Sequence, residues 1–506
     1  MSPFRSVKRG QILVLASLAI TLFMGFAALA VDIGFYYSAR RSLQTAADAA
    51  AISAAVSLRN GGNYTSATQA AVDTAKLDGF TNAQNGVTVT AAQPADSPYN
   101  TSNYVQVTVA KAEPTFFLRV LGYSDMNVSA SAVSGNENGT GCMYALDPSL
   151  SGSISLTGNF TISSSCGIFD ESSSSTAFTT SGNGTVNASV IGVVGSGPGY
   201  SKSGNVTLTP TPKTGIAPPG DPLAGIAAPS VPSPSLLASI AGSYTVNGNN
   251  QTVTVPAGIY AGGISVTGNS AVVTFPAGNY GNNVSIGGNT SSATFNPGQY
   301  QNTGGGHSID ISGNATTVFN PGSYTFYGAV SLSGNNNVTL SPGLYLGGIS
   351  ITGNAIVTFQ SGTYILGGGG LSVTGNSTLS GTGVTFYNTK NATFAYGPIK
   401  LTGNERANFS APTSGALAGM LFFQDRSVPY STANGSTVTG NSSSTFDGAL
   451  YFSTTPLVYT GNSSSSGYTY LVADTITNTG NSTMTVGNNY SSLANGSIIK
   501  SSTIYE

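Results

Sequence analysis

Acid–base chemistry needs carboxylates, lysines or histidines gathered on one face, and this chain has few to gather. Of 506 residues 7% are charged, the net charge is −2 and there is a single histidine. The densest group lies toward the C-terminus: Lys400, Glu405, Arg406, Asp425, Arg426 and Asp447. Lys400 and Asp425 stand about one repeat apart, so a coiled chain could bring them to a common face, as a polysaccharide lyase or hydrolase would require. Solvated turn residues are the plainer reading. Upstream, residues 241–390 hold only Asp310 and Lys390 as charged groups, with His307 following Gly304, Gly305 and Gly306. No acid–base pair can be assembled there, and His307 reads as a solvated loop residue. One histidine and two cysteines make no metal site. Gly367 to Gly370 are not followed by the Lys-Ser/Thr of a phosphate loop, and no basic patch is present to neutralise nucleic-acid phosphates. The expectation is no catalytic residue, no cofactor, no metal and no nucleic-acid partner.

What the chain has instead is repetition. Fourteen times between Thr157 and Asn481 a Ser/Thr/Gly/Asn-Gly-Asn tripeptide recurs, and its asparagines Asn269, Asn289, Asn314, Asn335, Asn354 and Asn376 return every 19 to 25 residues. A period of this length means stacked coils. A second beat pairs an apolar residue with a tyrosine five positions on: Val255/Tyr260, Phe275/Tyr280, Phe295/Tyr300, Phe319/Tyr324, Leu340/Tyr345 and Phe359/Tyr364. Short alternating segments such as Ile264-Ser265-Val266 and Val273-Thr274-Phe275, separated by Gly turns, cannot form independent hairpins. Stacked on their equivalents they form a right-handed parallel β-helix, three-sided at this coil length. The Gly supplies positive φ, and the Asn side chain bonds nearby backbone or its neighbour in a ladder. Two readings of each column are open. The asparagines and tyrosines either hold the stack together or face solvent as a sugar-binding surface, and packing is the simpler use of stacked rings.

Cys142 and Cys166 are 24 residues apart, within the range of the coil period. Equivalent positions in adjacent coils sit about 4.8 Å apart, which a disulfide accepts; the alternative is two buried thiols. At the N-terminus Arg5, Lys8 and Arg9 precede a run of 20 residues without a charge that Ile12 opens and Val31 closes. That length crosses a bilayer, and the basic residues would stay in the cytoplasm, leaving the rest of the chain outside. A cleaved signal has a shorter apolar core. Ala-rich sequence from Gly34 to about Leu58 extends the helix. A second helix near residues 66–77 and strands near residues 87–90, 104–109 and 126–132 follow, with a covering helix expected over residues 114–121. The predicted divisions are 1–31 basic tip and transmembrane anchor, 32–135 helix extension and small α+β pilin-like module, 136–208 first coils, 209–240 a Pro-rich excursion, and 241–506 the main stack. The module and the irregular final coils are expected to cap the stack.

Arg9-Gly10-Gln11, the apolar run, Ala30-Val31-Asp32-Ile33-Gly34, Arg40-Arg41 and Ala46-Ala47-Asp48-Ala49-Ala50-Ala51 together resemble the N-terminus of TadG-like proteins of the Tad (Flp) pilus assembly group. The resemblance covers roughly the first 55 residues. It implies a bacterial protein of the cytoplasmic membrane, linked to pilus assembly or adhesion, with pilus components or envelope polysaccharide as partners and no catalytic residue to carry over. Prepilins similar to this group are cut after a Gly with Glu five residues beyond; after Gly10 that place holds Leu15, which argues for an uncut anchor. The expected protein is a non-enzymatic scaffold, with a carbohydrate-binding adhesin and a β-helix polysaccharide enzyme as the alternatives.

Overall fold

The computed structural model describes residues 9–59, 62–96, 99–100, 104–138, 141–289, 292–464, 469–487, 489–494 and 497–505; Arg5 and Lys8 lie outside them. The chain divides into two compact units, residues 1–139 with 500–506, and residues 140–499.

In the first unit the apolar run and the Ala-rich stretch form one helix, α1 (Arg9–Arg59). With no charge between Arg9 and Asp32 and no proline, nothing interrupts it. Its first half is exposed, including Phe23, Met24 and Phe26. Its second half packs on α2 (Tyr64–Leu77), which Asn63 caps by accepting from the Thr65 and Ser66 N–H groups at 3.0 Å. The interface is built from alanines: Ala47, Ala50, Ala51 and Ala54 of α1 meet Ala67, Ala71 and Ala75 of α2. Both helices rest on an antiparallel sheet of β1 (Thr88–Ala92), β2 (Tyr104–Pro114) and β3 (Asp125–Asn138). Val105, Val107 and Val109 point inward from β2, as their alternation implies. The fourth strand, Lys500–Tyr505, comes from the far end of the chain and pairs antiparallel with β3, Val133 opposite Tyr505. The predicted last division therefore ends at 499, and the final strand belongs to the first unit.

The second unit is a parallel β-solenoid of about 15 turns. Three strands make a typical turn: Ile349–Gly353, Ile356–Phe359 and Gly362–Leu366 pair in register with Leu371–Gly375, Thr378–Thr382 and Val384–Asn388. The order of stacking is not the order of the sequence. Strands Thr469–Ala473 and Ile476–Val486, the last of the solenoid, pair onward with Gly141–Ala145 and Ile154–Ser164, the first. The stack therefore runs from residue 244 to 486 and continues with residues 141 to 214. The final coils are internal, not caps, and the ends are Tyr244–Val246 with Thr252–Thr254 on one side and Gly199–Thr209 on the other.

This threading dictates the role of the Pro-rich segment, which must travel from one end of the stack to the other. About 15 turns at ~4.8 Å span ~70 Å, and the 26 residues 215–240 reach ~80 Å in an extended polyproline conformation. Its contacts mark the route. Ile216 N–H donates to Val193 O, Leu237 N–H to Gln301 Oε1, and Ile240 N–H to Ile259 O. Prolines without N–H groups let the segment cross turn after turn without joining the ladder. It is a strap.

Candidate functional site

The C-terminal charged residues do not converge. Lys400 is exposed on strand Ile399–Leu401, while Asp425 follows Met420–Gln424 in a different column of strands. Burial raises the Asp425 pKa, but hydrogen bonds from Thr389 and Ser427 and the nearby Lys390 charge outweigh it and hold the carboxyl below its ordinary value. Arg426 is occupied by the strap, donating to Leu223 O at 2.6 Å and Ile226 O at 2.9 Å, and lying over the Phe423 and Tyr451 rings. Tyr451 donates in turn to Asp221 of the strap at 2.5 Å. Glu405 occupies the slot after a turn asparagine where other coils place Ala315, Ala355 or Ser377, and it is 1% exposed. Burial pushes its carboxyl up to about 7. Arg406 and His307 are exposed, and Asp447 is half-buried.

The asparagine column is continuous over much of its length. Asn354 Nδ2 donates to Asn335 Oδ1 at 2.9 Å, and Asn376 Nδ2 to Asn354 Oδ1 at 3.2 Å. Lower in the stack the backbone N–H of Asn289 donates to Asn269 Oδ1 at 3.2 Å; Asn314 is exposed at its turn. Gly353 and Gly375 have positive φ, and a Cβ on either would lie within 3 Å of the glycine one coil before it. Both reasons exclude other residues.

The five-residue spacing also has a cause. Tyr280, Tyr300, Tyr324, Tyr345 and Tyr364 each donate to the carbonyl four residues earlier, at 2.7 to 2.9 Å, closing the Pro/Gly turn beneath the ring. All five are buried, and Tyr260, in an end coil, is half-buried with its hydroxyl 3.5 Å from Pro256 O. Tyr280 stacks on Tyr300 at 5.2 Å, beside Phe275 on Phe295 at 4.3 Å. Cys142 and Cys166 form a disulfide with a Cα–Cα separation of 5.6 Å. One open groove of about 810 Å³ crosses four turns, lined by the in-register rows Asn481, Asn159, Asn183, Asn205 and Thr483, Thr161, Thr185, Thr207.

The first unit holds a site of another kind. Asp32 is 2% exposed, and its carboxylate accepts from the backbone N–H groups of Phe116 and Phe117 at 2.9 Å and of Leu118 at 2.7 Å. The helix expected over residues 114–121 is a short 3-10 turn, Leu118–Leu121, beside α1 and not over the sheet. Phe35 of α1 meets Phe116 at 4.9 Å. The Flp pilus-assembly TadE/G-like family matches residues 10–57, and the Tad-like Flp pilus-assembly family matches residues 37–134. This unit is TadG-like. No curated protein and no solved structure was found to match the chain.

The two matches overlap over residues 37–57 of α1 and together span most of the TadG-like unit. The first covers most of α1 including Asp32, and the second covers the end of α1, α2, the three strands and the loop that Asp32 holds. The solenoid lies outside both. Arg9 and Ile12 fall within α1, and Val31 lies one residue before the clamp. Composition marked Asp32 only as the end of an uncharged run. Its partners, 84 to 86 residues away, carried no signal beyond the apolar Phe116-Phe117-Leu118 itself.

Proposed function

We propose that the chain is a non-enzymatic scaffold of the cytoplasmic membrane that presents the solenoid outside the cell membrane at sites of Tad (Flp) pilus assembly. The observation that carries this reading is topological. The solenoid is inserted between β3 and the closing strand Lys500–Tyr505 of the TadG-like unit, so the membrane-proximal unit holds it by both chain ends. The α1 segment is long and apolar enough to span a membrane. Positive charge at Arg5, Lys8 and Arg9 favours a cytoplasmic N-terminus. Pilus components are the partners this reading favours. Burial of the tyrosine column and separation of Lys400 from Asp425 support scaffolding over sugar-stacking or hydrolysis.

The groove of Asn and Thr rows, which Lys202 also lines, supports one second reading, a carbohydrate-binding adhesin, because its amides and hydroxyls suit an extended glycan. Deleting the gene in the native bacterium separates the two. Scaffolding gives a loss of pili on electron micrographs; normal piliation with lost binding to glycan-coated surfaces would favour the adhesin.

A further inference from the structure

The loop between β2 and β3 exposes apolar side chains that a soluble surface would not. Phe116 is 55% exposed, Phe117 48%, Val120 85% and Tyr123 67%. They occupy the tip of a narrow loop whose neck is closed by the Thr115 N–H bond to Ser124 O at 3.0 Å. The tip does not stand alone. Phe117, Leu118 and Val120 line an apolar groove of about 430 Å³ with Met24, Gly25 and Leu29 of α1. Met24 lies eight residues before Asp32, which at ~1.5 Å per residue places it ~12 Å along the helix toward the N-terminus. Those α1 residues belong to the uncharged run of the membrane anchor.

We propose that this loop is a second membrane element, immersed in the outer half of the bilayer that α1 crosses, with Phe117 and Val120 among the acyl chains. The proposal rests on the reading of α1 as a membrane anchor. If residues 24–29 lie in hydrocarbon, the side chains packed against them lie there too. The backbone of the tip is prepared for such a place. In lipid an unpaired N–H costs several kcal/mol, and three consecutive N–H groups of the tip are taken by the Asp32 carboxylate. Gly122, at φ 95°, turns the chain back while its N–H bonds Arg119 O at 3.1 Å. The exposed Arg119, with a long stem and an end charge, reaches headgroup phosphates from this depth. Two membrane contacts on one unit fix its tilt on the surface, which a single helix cannot.

The chain contains no tryptophan, so single-Trp variants report one position each. Full-length chains carrying Phe117→Trp, Val120→Trp, Phe23→Trp or Tyr430→Trp are reconstituted in phosphatidylglycerol/phosphatidylethanolamine vesicles containing acyl-brominated lipid. Phe23 tests the anchor, and exposed Tyr430, in the solenoid, is the control outside the bilayer. The expected result is blue-shifted, bromine-quenched emission at positions 23, 117 and 120, with quenching at 117 strongest for bromines ~5–10 Å below the headgroups, and none at 430. Quenching at 23 with unquenched, red emission at 117 and 120 overturns the loop proposal and leaves the anchor standing. No quenching at any of the three positions overturns both.

Discussion

A single carboxylate, Asp32, joins two segments of sequence that no local pattern connects. It ends the uncharged run, and it is the acceptor for three backbone amides of the β2–β3 loop. Replacing Asp32 with Ala removes the one acceptor those three donors share and loosens the loop. Limited proteolysis of Asp32→Ala should therefore cut first between residues 114 and 124, where the native chain resists. Glu405 shows the opposite economy: a carboxyl placed in a slot meant for Ala or Ser. Its folded pKa, about 7, exceeds its ordinary 4.5, so the folded state binds the proton more tightly. Below pH 4.5 the carboxyl is protonated in both states and carries no charge penalty; as pH rises from 4.5 to 7 stability is lost, and above 7 the buried charge disfavours the folded state. Glu405→Gln should raise the thermal midpoint at pH 8 and leave it nearly unchanged at pH 4. The legibility of these two sites differs for a physical reason. Glu405 stands out against the repeat, and its neighbours in adjacent coils can be read off the sequence. Asp32 acts on backbone 84 to 86 residues away, and backbone donors leave no trace in residue identity.

Among the elements, the solenoid strands were the most readable, because alternation and the Gly-Asn beat report the same geometry from two directions. Phe/Tyr pairs five apart turned out to be turn closures, with each hydroxyl on the carbonyl four residues back. The strap was readable only as something that is not a strand. Eight prolines in residues 209–240 preclude a ladder, but the side chains that receive the segment, Gln299, Gln301, Arg426 and Tyr451, are scattered over the stack. Arg426→Ala should remove two charge-assisted bonds to strap carbonyls and the stacking on Phe423 and Tyr451, costing ~2–4 kcal/mol. Hydrogen exchange would detect this as faster labelling of residues 221–226, with the distant strands Ile264–Val266 and Val284–Ile286 unchanged. At the edge strand Gly199–Thr209, Lys202 occupies the register position of buried Thr180 and Leu156. Lys202 is exposed there, and a charge on an edge strand discourages further strand addition.

For the whole molecule the decisive feature is the order of threading. A linear reading of the repeats places the first coil at one end and the last coil at the other. In the structure those two coils are neighbours, Ile476–Val486 against Ile154–Ser164, and both chain connections to the TadG-like unit leave from this interior position. Pairing between segments more than 300 residues apart is invisible to any periodicity, since every coil resembles every other. The one clue was length, a Pro-rich segment long enough to traverse the stack. The consequence is that the TadG-like unit cannot complete its sheet until the solenoid has been made. The most direct measurement compares three strains of the native bacterium by pilus counts per cell: a deletion, the deletion carrying the full chain, and the deletion carrying residues 1–139 joined to 500–506. Scaffolding by the solenoid gives pili only with the full chain. Wild-type pilus counts in the deletion strain, or equal rescue by the chain lacking residues 140–499, would contradict it.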